Sequence, residues 1–158
     1  MRYDSWFIWG FAATVVLTTI MAGSQSLGLT RMNIPYLLGT MFTANRDRAK
    51  VIGIGIHLLI GWMFAFLYAA VFHAWGGAGW WRGGMIGFVH AAFLLVVGLP
   101  ALPGIHPRMA SEQHGPTAKR QLEPPGPLAL HYGVRTPLSV VVAHVAYGAI
   151  LGGFYPLH

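Results

Sequence analysis

The chain has 158 residues, 55% of them hydrophobic and 9% charged, with mean hydropathy +0.56 and a formal net charge of +6. Soluble domains are nearer a quarter charged, so a soluble globular class is excluded, and the lack of cysteine excludes disulfides and thiolate metal sites. A pI near 10.2 is read as basic loops that fix topology and meet anionic membrane lipid; no recognisable binding module accompanies the charge, so nucleic acid is not an expected partner.

Charged residues gather between four charge-free windows, Ser5–Thr30, Val51–Trp81, Gly83–Pro107 and Thr136–His158. Each can hold the ~20 apolar residues of a transmembrane helix. The expected fold class is all-α: a single polytopic membrane domain over residues 1–158, with four transmembrane helices, a short amphipathic interfacial helix and a long Pro-rich loop.

Trp6–Ala22 is the first span. Arg2 before it and Ala22-Gly-Ser after it have the outline of a signal peptide; the segment is read here as a retained helix. In the connector Gly23–Lys50, the residues Ile34, Leu37, Leu38, Met41 and Phe42 follow amphipathic helical spacing. Asn33 suits its cap and Pro35 its first turn. This helix, about 34–42, is too short to span and is expected to lie in the interface or dip back against the bundle. Arg46, Arg48 and Lys50 anchor the second span, Val51–Phe72. A glycine-rich hairpin, His73–Arg82, brings Trp75, Trp80 and Trp81 to headgroup level. The third span, about Gly84–Leu99, is expected to end at Pro100 and Pro103. The loop Pro103–Pro137 carries seven prolines and is expected to form an ordered cap over one end of the bundle. Leu138–Phe154 is the fourth span.

With four spans, the first and third loops share a side. They hold Arg31, Arg46, Arg48, Lys50, Arg108, Lys119, Arg120 and Arg135, against Arg2 and Arg82 opposite. The positive-inside rule puts the large loops in the cytoplasm and both termini outside. Trp6, Trp9, Trp75, Trp80, Trp81 and Tyr155 then group at the outer interface.

Three spans carry a histidine on a face of small residues: Gly53-His57-Gly61 on the second, Gly83, Gly87, His90 and Ala91 on the third, and His144-Gly148-Gly152 on the fourth. Small faces let helices approach closely in lipid, so all three imidazoles are expected to point inward. At 1.5 Å per residue, His57, His144 and His90 lie roughly 9, 10 and 15 Å from the cytoplasmic side. They are expected to meet in that half of the membrane. Ionisable groups inside a membrane point to function. One reading is a shared site, with His57, His90 and His144 holding a metal, ligating a haem or chlorin, or relaying protons. The other is that each neutral ring hydrogen-bonds across a helix pair, with Tyr68, Tyr147, Ser139 or a carbonyl as partner. No carboxylate lies within a span to complete a second shell. In the long loop, His106, His114, His131, Glu112, Glu123 and Met109 offer a peripheral metal site or ordinary loop solvation. No nucleophile elbow, Walker loop or dinucleotide fingerprint is present.

Met32-Asn-Ile-Pro-Tyr-Leu-Leu-Gly39, His57-Leu-Leu-Ile-Gly61 with Phe64, Ala65 and Tyr68, and Ala143-His-Val-Ala-Tyr-Gly-Ala-Ile-Leu-Gly152 resemble a family of small four-helix bacterial integral membrane proteins of unknown function. The resemblance implies four helices and a bacterial inner-membrane setting, and no activity. The Pro-rich loop is longer here than in that pattern, which suits a partner specific to a subgroup.

Three functions fit. The first is a non-catalytic structural or accessory subunit, packing against other membrane subunits or copies of itself through glycine faces such as Gly53, Gly61, Gly83, Gly87, Gly148 and Gly152. The second is a cofactor-binding protein using His57, His90 and His144. The third is a small transporter or channel, which would need an oligomer because one bundle of four helices is expected to leave little internal volume. An enzyme is the less expected class.

Overall fold

The computed structural model describes residues 3–156. They form an all-helical molecule with four helices long and apolar enough to cross a membrane. These are α1 (Tyr3–Ser26), α3 (Arg46–Ala74), a compound third span, and α6 (Thr136–Phe154). The short helix α2 (Ile34–Thr40) precedes α3. The third span consists of α4 (Trp80–Phe93), a π-helical turn (Leu94–Gly98) and α5 (Leu99–Ile105). The chain is therefore a multi-pass membrane protein.

Lipid offers no hydrogen bonds, so polar side chains on the spans must find partners inside. On α1, Thr14, Thr18 and Thr19 return their hydroxyl protons to the carbonyls of Gly10, Thr14 and Val15. Asn33 caps α2 through the Tyr36 N–H, and Pro35 occupies its first turn. Asn45 caps α3 by accepting from the Asp47 and Arg48 N–H groups, and Asp47 adds a negative charge where the helix dipole favours it.

The third span does not stop at Pro100. It continues to Ile105 with both Pro100 and Pro103 inside it. A proline ring collides with the carbonyl four residues back and donates no bond to it. The π-turn loosens that point: the Leu99 N–H reaches back to the Leu94 carbonyl, five residues away, and the wider turn accommodates the following prolines.

Helix order around the bundle is α3, α1, α6, α4. The most extensive contact is α4 on α6, followed by α2 on α3, α1 on α6 and α1 on α3. The glycines explain the first two. A methyl group on Gly83 would sit 1.9 Å from the Gly148 carbonyl oxygen, and one on Gly148 would sit 2.0 Å from that of Gly83. On the other seam, a methyl on Gly53 would lie 1.6 Å from the Pro35 oxygen, and one on Gly39 would lie 1.7 Å from the Ala49 oxygen. The backbones touch directly, which is how membrane helices gain contact without a hydrophobic driving force. Between α1 and α3 the join is aromatic. Trp6 donates to the Trp62 carbonyl and Trp62 to the Phe7 carbonyl, while Phe7 and Trp62 stack at 4.5 Å.

Both large loops lie at one end and are tied together. Thr30 and Thr136 share a buried hydroxyl pair at 2.7 Å, the Arg31 N–H donates to Tyr132, and the Arg31 guanidinium meets Glu123. The segment between α5 and α6 is ordered by an isolated bridge, Met109 to Leu122, and by a 3₁₀ turn, Pro127–Tyr132. His106, which caps α5, is fully buried. It lies 2.9 Å from the Leu37 carbonyl and also contacts Thr40, while Arg108 donates to the Thr40 carbonyl. The cap is thus pinned onto α2.

Burial holds the His106 pKa below the ordinary histidine value; the Leu37 carbonyl opposes this, and the nearby Arg108 and Arg120 charges reinforce it. A histidine kept neutral in the folded state stabilises fully above its unfolded pKa of about 6.5, and that contribution is lost as pH falls towards the lowered folded value. The protection factors of amides in the segment 106–135, measured against the intrinsic exchange rate at each pH, are therefore expected to fall between pH 7.5 and pH 5. His106→Phe should abolish that dependence.

Candidate functional site

The consecutive helices α3 and α4 barely touch through their backbones. Side chains bridge the gap between them: Phe64 stacks on the His90 ring with centroids 4.0 Å apart, and Tyr68 meets His90 Nδ1 at 3.2 Å. Towards the loop end the two walls flank a partly open cavity of ≈ 430 Å³, within the range of small-molecule sites. All six helices contribute to it. Its walls are chiefly apolar, with Leu17, Met21, Ile54, Ile60, Leu94 and Leu102 among them, and its rim carries Asn33, Tyr36 and Lys50. One bundle therefore holds a cavity, although the expectation of little volume for a transport path concerned a passage through the bundle, which this cavity is not. The volume arises because bulky side chains hold two helices apart where small ones would let them close.

His57, His90 and His144 all line this cavity. His90 and His144 are in ring contact, with centroids 4.8 Å apart and planes at 76°. His57 stands on the α1 side, its Nδ1 3.2 Å from Thr18 Oγ1. Among the described residues, no group of three or more histidines or acids is placed to hold a metal ion. The loop residues His106, His114, His131, Glu112 and Glu123 form no such group either; His106 and His131 are engaged by the carbonyls of Leu37 and Pro124.

The hydrogen bonds define what each ring offers. The Val140 carbonyl can only accept, so His144 carries its proton on Nδ1 and donates at 2.8 Å. The Thr18 proton goes to the Thr14 carbonyl, so His57 also donates from Nδ1. Both rings keep an accepting Nε2. The Tyr68 hydroxyl has no other acceptor among the described residues and donates to His90 Nδ1, which puts the His90 proton on Nε2. That Nε2 is buried and has no partner among the described residues. An unmet buried donor costs about 1–3 kcal/mol. Tyr147 closes the inner end, its hydroxyl donating to the Gly61 carbonyl at 2.6 Å.

Of the expected partners, Tyr68 and a carbonyl serve histidines, whereas Tyr147 and Ser139 bond other carbonyls. Sequence reasoning missed Thr14 and Thr18, whose four-residue spacing on α1 was the available signal, and it missed the wall supplied by α2. The chain matches no protein-family model, no curated protein and no solved structure. The resemblance drawn from three short motifs gains no support from those comparisons.

Proposed function

We propose that the protein is an intramembrane binding protein whose cavity takes the polar group of an apolar-bodied molecule between His57, His90 and His144. The observation that carries this reading is an apolar cavity of ≈ 430 Å³ lined by all three intramembrane histidines. Hydrogen bonding suits the site better than a metal ion held by three side chains, because among the described residues no three ligands are placed for one. The accessory-subunit reading rests on the lack of a charged catalytic set, on glycine faces and on the large loop, and of these only the glycine faces bear on how subunits would pack. Gly53, Gly61, Gly83, Gly87, Gly148 and Gly152 all press instead against neighbouring helices of the same chain. An oligomeric transporter or channel would need a path beyond this cavity.

Native mass spectrometry of protein extracted gently from its own membranes tests the proposal. The expected result is a bound mass that Leu94→Trp, which plugs the cavity, removes while the far-ultraviolet circular dichroism stays helical. A bare polypeptide mass, or an adduct unchanged by the plug, would overturn it. A metal or tetrapyrrole would show itself in the same spectrum by mass, and by visible absorption.

The setting we propose is a bacterial inner membrane with both large loops cytoplasmic and both termini outside, on the distribution of basic residues. Because the chain has no cysteine, single cysteines report sidedness without background. Ser111→Cys is expected to resist an impermeant maleimide in intact cells, and Ala74→Cys is expected to react; the reverse pattern would invert the topology.

A further inference from the structure

We infer that the cavity's ligand is a long-chain acid: beyond the polar group placed among the histidines, its far end carries an anionic group held near Lys50, with an apolar body between the two. This rests on the binding role proposed above and names the other end of that ligand.

The shape of the cavity comes from the helices. Its lining residues recur at three- and four-residue steps, from Thr14 to Gln25 on α1, from Lys50 to Phe64 on α3 and from His90 to Leu102 on the third span. At 1.5 Å per residue these stripes run about 16, 21 and 18 Å, so the cavity is a slot lying along the helices. That is slightly more than one leaflet, half of the ~30 Å hydrocarbon core. Contacts fix its two ends. At the inner end Thr14 lies against Gly61, Tyr147 donates to the Gly61 carbonyl and Phe64 stacks on His90. At the loop end Gln25 donates to the Met32 carbonyl, and Gly53, one turn beyond Lys50, lies against Pro35 of α2. Leu17, Met21, Ile54, Leu94 and Leu99 make the stretch between them apolar.

The loop end is the charged one. Among the described residues, Lys50 is the one lysine or arginine that lines the slot, and no carboxylate lines it. Asp47 stands 3.6 Å from the Lys50 ammonium, but its side chain is 95% exposed and lies outside the lining. Exposed pairs of this kind hold weakly, so the ammonium is free to turn to another anion. The two large loops around this end hold eight basic residues against Asp47, Glu112 and Glu123. A field of that sign draws an anion and repels a cation without a fixed contact geometry, and an uncharged head gains little from it. Asn33 and Tyr36 stand on the same rim; Asn33 spends its amide oxygen on the α2 cap, which leaves its NH₂ to donate. Lys50 and His57 are seven residues apart, about 10 Å, and Leu102 and His90 twelve, about 18 Å. Those spacings bracket the length of the apolar body.

The test uses the full chain in phosphatidylcholine nanodiscs at about pH 8.5, where a carboxylic acid is ionised, with an apolar fluorophore that reports occupancy of the cavity. The displacing probes are ω-hydroxydodecanoate and α,ω-dodecanediol, which differ only at the end meant for Lys50. Their free concentrations are corrected for uptake by empty nanodiscs. The acid is expected to displace the fluorophore at least tenfold more tightly than the diol. Lys50→Gln should remove most of that preference, and Asp47→Asn should keep it. Given that result, a repeat in nanodiscs containing phosphatidylglycerol identifies the source of the anion: lost fluorophore binding assigns it to a bilayer lipid, and retained binding to a free acid. Equal displacement by acid and diol, tighter diol, no displacement by either, or a preference that survives Lys50→Gln would overturn the inference. If the fluorophore still binds the wild type and is excluded by Leu94→Trp, the general binding reading survives that failure. If the fluorophore does not bind, both fall.

Discussion

Replacing Gly83 by leucine is expected to separate α4 from α6 and to cost about 3 kcal/mol or more, at or beyond the upper end of overpacking effects. The reason is geometric. The added Cβ would lie 1.9 Å from the Gly148 carbonyl oxygen and 3.0 Å from the Gly152 nitrogen. Both are backbone atoms and cannot swing aside, so the whole helix must move. Gly87 and Gly152 face the same constraint, at 2.1 Å from the oxygens of His144 and Gly79. Separation of this seam would also part His90 from His144, so binding should be lost along with stability. Gly55→Leu is the control. Nothing stands within 4 Å of a side chain there, and exposed changes of that kind stay within about 0.5 kcal/mol. Unfolding in mixed micelles, followed by tryptophan fluorescence, measures both. Equal stability of the two variants would sink the account of the seam.

A second large effect is expected from Gly53→Val, with a different signature. Its side chain would run into the Pro35 carbonyl, 1.6 Å from the first added atom. The four spans do not depend on that contact, but α2 does. Lifting α2 would remove Asn33, Ile34, Pro35, Tyr36 and Leu38 from the cavity wall and would break the His106 and Arg108 bonds to Leu37 and Thr40. Helix content should therefore hold, while any bound mass falls by tenfold or more and protease cuts the segment 106–135 faster. A variant that keeps its ligand and its protease resistance would show that α2 is not a wall of the site.

The spans were legible because the bilayer leaves the chain few choices. A charge-free run of that length must be a helix, since every backbone group has to be satisfied within it. The start of α2 was legible because Asn33 and Pro35 are local devices acting on adjacent residues. The third span was misread at its end: Pro100 reads as a terminator until the π-turn before it is seen, and a π-turn leaves no clear mark in composition. The inward histidines were legible from their small neighbours. What those neighbours pack against was not, because Gly53 meets α2 while Gly61 meets Thr14 of α1, and nothing in their spacing distinguishes the two. The cavity was illegible for a related reason. It depends on the sum of side-chain sizes from helices distant in sequence, where Phe64, Tyr68 and His90 prop open a gap that alanines would close.

The splayed α3–α4 hairpin also bears on how the molecule is made. Outside its own compound span, α4 has no extensive helical neighbour except α6. During synthesis the third span therefore enters the bilayer with only side chains of α3, Phe64 and Tyr68 on His90, to meet it. Its backbone seam can form only when residues 136–154 have left the ribosome. Until then His90 and His144 have not met, and the Gly83 and Gly87 backbone is sealed only by lipid. Assembly waits on the last helix, so a nascent chain halted before that point should hold three inserted segments and no site, and its third segment should be the one a membrane protease finds first.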